Sequence, residues 1–328
     1  MGYVEYYGER DYPAALAQFT RAQEALPNDP DVIAAIAFIH RRQGKWRLAL
    51  SELQRVAILD PRNPRRHYEI GVTLTELRHY DDAEQQLNQA LTIEPNDYVS
   101  LIYKIRLLFL TGKTAQARRT LAAVPADVDP QGSFSALRFE SAWLARKPDR
   151  ALAALASAPT WVQSMNTLAQ VPTNLLRAQA RVLQGKTVRA RKTFADARRT
   201  LRASLRIYPD NPPLLAALGV AEAGLGERQK AIRAGLRASR LLPVSRDAYY
   251  GTGHLASLAR IYAQTGEAAE AVELLHRLLS MPAGEAISVP MLRLDPIWDP
   301  IRHGPRFQAL LKQYGHSASA PQTAATDA

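Results

Sequence analysis

The chain has 328 residues, no Cys, 42 Lys+Arg against 31 Asp+Glu and a formal net charge of +11. An apolar fraction of 47% with 22% charged residues excludes a chain that is disordered throughout. The missing Cys excludes disulfides, Cys-ligated zinc and thiolate catalysis. Length alone would allow about two compact domains. The charge is unevenly spread: residues 1–100 carry a net −4, 101–207 a net +14 and 208–328 a net +1. No run of about 18 apolar residues offers a membrane span, and Met1-Gly2-Tyr3-Val4-Glu5 has neither the basic nor the apolar region of a signal peptide.

Taken in chain order, the first signal is a repeat. Pro27, Pro61 and Pro95 stand 34 residues apart. Ala15, Phe19 and Ala22 precede the first; Ala49, Leu53 and Val56 the second; Ala83, Leu87 and Ala90 the third. Ile36-Ala37 and Ile70-Gly71 form a large-then-small pair upstream. The pattern weakens through Gly112, Ala117 and Leu121, then Ala142, Ala151 and Leu155, then Gly185, Ala190, Phe194 and Ala197. It is clear again at Leu218-Gly219, Gly226, Ala231 and Ala238, and at Leu258-Ala259, Gly266, Ala271 and Leu275.

These positions resemble the tetratricopeptide repeat, a 34-residue helix–turn–helix unit. The resemblance implies an all-α, right-handed superhelical solenoid of about eight helix-turn-helix repeats. Small residues let helix A approach helix B, Gly at the turn accepts a left-handed backbone, and Pro ends helix B. Asn28-Asp29-Pro30, Asn96-Asp97 and Asp210-Asn211-Pro212 should cap the following A helices. The domain reads as a solenoid over 1–315, with repeats ending near 27, 61, 95, 129, 163, 207, 243 and 282. Helix B of the sixth repeat runs on by about two turns. A cap follows over 291–314, and the Ser/Ala/Pro/Thr-rich tail over 316–328 reads as disordered. The first repeat lacks the start of its helix A, so the chain reads as a piece of a longer protein. The run from Leu241 to Leu311 is similar to the end of bacterial signalling proteins that join a Ser/Thr kinase, adenylate/guanylate cyclase or winged-helix effector to a TolB-like segment and then to such repeats. No effector lies in this chain, so no effector activity is implied.

Motifs for chemistry fail on spacing. Gly112-Lys113-Thr114 and Gly185-Lys186-Thr187 imitate a phosphate loop, but Leu107 and Ala180 stand where it needs Gly. The seven His residues contain no H-E-x-x-H and no pair four apart on a helix. No enzyme activity, cofactor, metal or small-molecule substrate is therefore expected. Trp46, Trp143, Trp161 and Trp298 are assigned to packing, with Trp143 best placed to face a groove.

The resemblance also implies a concave face lined by helix A. Its groove positions here are Phe38, Arg41, Arg42, Arg65, Tyr68, Arg106, Phe109, Trp143 and Arg260, with Val72, Ile102, Glu140 and Gln264 beside them. Arg beside aromatic rings can pair a carboxylate and stack on a peptide. Ala34 and Phe38 replace the Lys and Asn of a carboxylate clamp, which disfavours chaperone-tail binding. A second candidate is the basic patch of Arg177, Arg181, Lys186, Arg189, Arg191, Lys192, Arg198, Arg199, Arg202 and Arg206, opposed by Asp196 alone. The expected function is a protein–protein interaction scaffold that takes a protein or peptide in the groove, as the sensory or docking region of a signalling protein. An acidic partner would suit the basic middle third. The alternative is a nucleic-acid-associated regulator acting through 177–206. The default compartment is the cytoplasm, or an extracytoplasmic one if the chain ends a longer membrane protein.

Overall fold

Most helix starts along the chain are set by an Asp or Asn side chain or a Pro. In the computed structural model, which describes residues 2–125, 127–163 and 170–315, the Asp29 carboxylate accepts from the backbone N–H of Asp31 and Val32. Asp97 accepts from Ser100, and Asn211 from Leu214. Each satisfies amides that the first turn of a helix leaves without partners. Helix α1 (Tyr12–Ala25) follows a π-helical turn over Val4–Glu9. Antiparallel pairs then succeed one another: α2 (Pro30–Arg42) with α3 (Trp46–Leu59), α4 (Pro64–Glu76) with α5 (Tyr80–Ile93), and α6 (Tyr98–Leu110) with α7 (Thr114–Ala122). The series continues as α8 (Ser133–Leu144) with α9 (Pro148–Ala154), α10 (Thr173–Leu183) with α11 (Thr187–Ile207), α12 (Pro212–Gly224) with α13 (Arg228–Leu241), and α14 (Tyr250–Thr265) with α15 (Ala268–Leu279). Short helices α16 (Val289–Leu294) and α17 (Asp299–Arg302) lead to the closing helix α18 (Pro305–Gly315).

The fold is an all-α solenoid of stacked helix pairs with a C-terminal capping helix. On α18, Phe307, Leu310 and Leu311 pack into one cluster with Leu275, Leu278 and Trp298. Helix α11 has 21 residues where α3, α5 and α13 have 14. The fifth pair departs from the period. Helix α9 has only seven residues, and an antiparallel hairpin, β1 (Trp161–Gln163) paired with β2 (Gln170–Pro172), separates it from α10. Asp299 precedes Pro300 but caps no helix; its carboxylate is taken by Arg146 and Arg302. The tail assigned to disorder, 316–328, lies outside the described residues. Among the described residues, no helix is long and apolar enough to cross a membrane.

The two helices of a pair differ in burial. Helix α2 is buried without a break from Ile33 to Arg42, whereas α3 buries only Trp46, Ala49, Leu53 and Val56. Helix α14 is buried from Gly251 to Ile261, whereas α15 buries Ala271, Leu275, Leu278 and Leu279. The B helices have one face in solvent. The A helices are covered on a second side as well, and what covers them defines the candidate site.

Candidate functional site

The cover is the chain itself. Two connections from the C-terminal third, 243–250 and 280–299, cross the A-helix face of the first five repeats. At one end the Tyr12 hydroxyl donates to Asp247 at 2.5 Å, and the Arg42 guanidinium lies 3.8 Å from the same carboxylate. The Ala248 amide donates to the Arg42 carbonyl. The Arg42 guanidinium sits 4.7 Å from the ring of Tyr249 and 4.0 Å from that of Tyr250. Further along, Gly284 donates to the Glu76 carbonyl. Here the backbones touch: a Cβ on Gly284 would run into the carbonyl oxygen of Thr75, so only glycine fits. Arg106 and the Tyr249 hydroxyl both reach the Glu285 carboxylate, at 3.4 and 3.1 Å. The Ser288 hydroxyl donates to the Leu110 carbonyl at 2.6 Å. At the far end the Trp143 indole donates to Asp295 at 2.8 Å, and Gln264 donates to the Ile297 carbonyl at 2.6 Å.

The covering segment meets one structural position four times. The turns between helices A and B of repeats two to five contain residues 44, 78, 112 and 146, again 34 apart. All four take a left-handed backbone, with φ of 77, 64, 76 and 54°. Gly holds two of them. A Cβ on Gly44 would stand 3.4 Å from that of Ala248, and one on Gly112 3.2 Å from Pro290. Arg holds the other two, against its steric preference. Arg78 donates to the carbonyls of Ile287 and Leu278 at 2.7 and 2.9 Å. Arg146 forms a two-pronged pair with Asp299 at 2.7 and 2.6 Å. The backbone strain of about 1 kcal/mol at each is offset by these contacts. At Gly185, Gly226 and Gly266, the equivalent turns of repeats six to eight, an added Cβ would meet nothing within 4 Å.

Two carboxyl pairs lie across this boundary, each with one member on the wall and one on the covering segment. Burial pushes the Glu76 carboxyl well above its usual range, and the neighbouring Glu285 charge pushes it further. Burial pushes Glu140 up to about 8, with Asp295 raising it and Arg260 opposing. Asp295 is itself raised by burial. Oε1 of Glu76, Oε1 of Glu140 and Oδ2 of Asp295 are buried without a hydrogen-bond partner among the described residues, which fits the upward direction of all three. A cavity of about 30 Å³, lined by Arg106, Glu140, Arg260, Glu285 and Met291, touches one member of each pair.

The groove residues are therefore brought together, but not as an open surface. Phe38, Arg41, Arg42, Arg106, Phe109, Trp143 and Arg260 are all buried, at 3–8% exposure. Arg41 pairs with Glu69 at 3.1 Å, and Arg106 with Glu285. Arg260 lies 5.8 Å from the Trp298 ring. Tyr68 stacks on Tyr103, and Arg65 alone of the set is exposed. The physical reason is the 34-residue period itself. It places these side chains on one face, where a segment from some 200 residues later in the chain can cover them together. Sequence reasoning missed Arg78, Arg146, Asp247, Glu285 and Asp295. A usable signal was present for two of them: Arg78 and Arg146 stand at the turn position where neighbouring repeats have Gly.

The basic patch divides. Arg177 donates to the Leu155 carbonyl at 2.6 Å and Arg181 to the Thr193 hydroxyl, so both serve packing. Arg198 and Arg202 share the buried Glu222 of α12. Lys186, Arg189, Arg191, Lys192 and Arg206 are exposed, and among the described residues no ion pair engages them. The structure adds a second basic helix that chain-average charge conceals. Helix α13 carries Arg228, Lys230, Arg233, Arg237 and Arg240 with no acid, and all five are exposed. Among the described residues, no group of three or more His, Asp or Glu could hold a metal ion.

A solenoid of helix pairs on a 34-residue period defines a class, and comparison with known proteins names it. Residues 35–98 and 74–138 match two sequence models, each described as the tetratricopeptide repeat. Residues 35–138 thus carry tetratricopeptide repeats, units that build protein–protein interaction scaffolds and are generally non-catalytic. Comparison with curated protein sequences finds no match. Among solved structures, the chain is similar to one in the Cut9–Hcn1 hetero-tetramer of the APC/C, at 17% identity and a TM-score of 0.49, covering 94% of this chain and 56% of that one. It is also similar to MamA from Desulfovibrio magneticus RS-1, at 15% identity and a TM-score of 0.27, covering 76% and 93%. PilW, a type IV pilus biogenesis factor, matches at 17% identity and a TM-score of 0.34, covering 86% and 98%. The chain spans just over half the length of the Cut9–Hcn1 chain it matches.

Proposed function

We propose that this chain is a protein-interaction scaffold that meets its partners on its outer, B-helix surface, as the docking region of a bacterial signalling protein. The observation that carries this reading is the filled groove. Arg42, Arg106 and Trp143, which would hold a ligand in an open solenoid, are already paired with Asp247, Glu285 and Asp295. A groove ligand would have to displace the Arg106–Glu285 and Trp143–Asp295 hydrogen bonds together with the Arg42–Asp247 ion pair, contacts each worth roughly 0.5–3 kcal/mol. The outer faces of the B helices ask for no such displacement, and a rigid repeat surface binds with little ordering cost. The likeness of 241–311 to the end of signalling proteins supports the docking role.

The absence of Cys allows a clean test. Replacing Gly44 and Ala248 by Cys places two Cβ atoms at a separation close to the roughly 3.5–4.5 Å that a disulfide spans. Oxidation then locks the covering segment down. Proteins captured by the reduced, unsubstituted chain should still be captured by the locked one. Capture that vanishes on oxidation and returns on reduction would overturn the outer-surface reading in favour of the groove.

A further inference from the structure

We infer that α11 and α13 together form a docking surface for an acidic helix of a partner protein. The inference rests on the outer-surface reading above and gives that surface a location and a ligand chemistry. Both helices are B helices packed on α12, where Leu205 of α11 and Leu241 of α13 meet the same small cluster around Leu215, Ala216 and Ala238. Arg191 and Arg198 of α11 also lie close enough to act on Glu227, at the N-cap position of α13.

The spacing of the cations sets the kind of partner. On α11 the buried residues are Ala190, Thr193, Phe194, Ala197 and Leu201. The opposite side presents Lys192, Arg199 and Arg206, seven residues apart each time, with Arg191 and Arg202 beside them. On α13 the buried residues are Ala231, Gly235 and Ala238, and the solvent side presents Lys230, Arg233, Arg237 and Arg240 at intervals of three, four and three. Seven residues are two helical turns, so each row repeats about every 10.5 Å. A partner helix with Glu or Asp on one heptad face repeats at the same interval and can answer cation after cation. Arginine predominates in both rows, and its planar fork matches a carboxylate. Several of these side chains already pair with carboxylates of this chain: Arg237 with Asp210 at 2.7 Å, Arg199 with Asp196 at 3.2 Å, and Arg228 with Glu267.

The same details disfavour other anionic surfaces. The exposed apolar side chains of this region, Val188 at one end of α11 and Ile207 with Tyr208 at the other, are about 29 Å apart along the helix. They form no apolar strip to enter a lipid surface. No exposed ring lies between the cations for base stacking: Phe194 is buried and Tyr208 sits past the helix end. Asp196, Asp210, Glu227 and Glu267 interrupt the field that a polyphosphate would need.

The test uses the full chain and a labelled synthetic helix of about 21 residues with Glu on one heptad face. A peptide of identical composition in scrambled order serves as the control. The heptad peptide should bind at least about tenfold more tightly than the scrambled one, because matched rows engage several weak pairs at once. The triple variant Lys192→Glu/Arg199→Glu/Arg206→Glu should lose that advantage. So should the milder Lys192→Gln/Arg199→Gln/Arg206→Gln, with thermal unfolding unchanged in both. Arg118→Glu/Arg119→Glu/Arg150→Glu, an equal change in net charge on other B helices, should keep it. Equal binding of the two peptides would overturn the inference. So would tighter binding to a DNA duplex or to phosphatidylserine vesicles than to the heptad peptide. If the heptad peptide fails while the disulfide-locked chain still captures partners, the acidic-helix inference falls and the outer-surface reading stands.

Discussion

The turns of repeats two to five and those of repeats six to eight share a backbone and differ in their surroundings. Gly44 and Gly112 are met by Ala248 and Pro290, and Arg78 and Arg146 hold the covering segment outright. Gly185, Gly226 and Gly266 face open space at nearly the same φ. One repeat design thus yields four covered turns and three open ones, and the difference comes from a few side chains on a segment far away in sequence. A tetratricopeptide groove cannot be assigned as a binding surface from repeat positions alone; the rest of the chain must be followed to see where it goes.

The comparison breaks most readily at Gly284. Gly284→Val drives a side chain into the Thr75 carbonyl, and we expect a loss of more than about 4 kcal/mol in urea-induced unfolding. Second in size is a pH effect. Because the sealed form holds Glu140 protonated up to about 8, it binds a proton that an opened form releases near the ordinary carboxylate value. Sealing should therefore be strongest below about pH 4.5 and weaken as pH rises to about 8, at up to ~1.4 kcal/mol per pH unit. Glu140→Gln should make that slope shallower in a pH series of thermal unfolding, leaving the part that Glu76 and Asp295 contribute; an unchanged slope would place the titration elsewhere. Third, Trp143→Phe leaves the Asp295 carboxyl without its indole donor and should cost about 1–3 kcal/mol. Fourth, Arg78→Gly removes a strained backbone and two carbonyl contacts together, for a net loss of about 1 kcal/mol. Gly185→Ala on the open side loses a similar amount from its backbone alone. Amide exchange separates the two, since only Arg78→Gly should raise exchange at 284–288. The smallest effect belongs to the repeats with open turns: Lys192→Gln and Arg199→Gln should each change stability by less than about 0.5 kcal/mol.

Local chemistry was legible in the sequence where it is local in the structure. Asp29, Asp97 and Asn211 cap helices because a cap needs only its next three residues. The extension of α11 and the closing helix α18 could be read from the same kind of signal. The hairpin over Trp161–Gln163 and Gln170–Pro172 could not, since each strand is three residues long and shows no alternation to detect. The groove residues share the covered A-helix face, and their accessibility was not legible. Whether Arg42 and Arg106 are free depends on Asp247 and Glu285, which carry no periodic mark. Nor did the net charge of 208–328 disclose α13, because the acids of that stretch lie on other elements and cancel its arginines in any average.

The contact between Arg78 and Ile287 joins residues 209 apart, and that between Tyr12 and Asp247 residues 235 apart. Repeat arrays ordinarily behave as chains of neighbours, each unit folding against the one before it. Here the first five units acquire their last partner only when the eighth has been made. At a synthesis rate of about 5–20 residues per second, a ribosome needs roughly 10–40 s to cover that distance. During this interval the emerging solenoid shows a groove of arginine and aromatic side chains that the finished protein conceals. Folding rate falls with the sequence separation of the contacts that must form, so closure should be the slow step of refolding, and the stacked helix pairs should form before it.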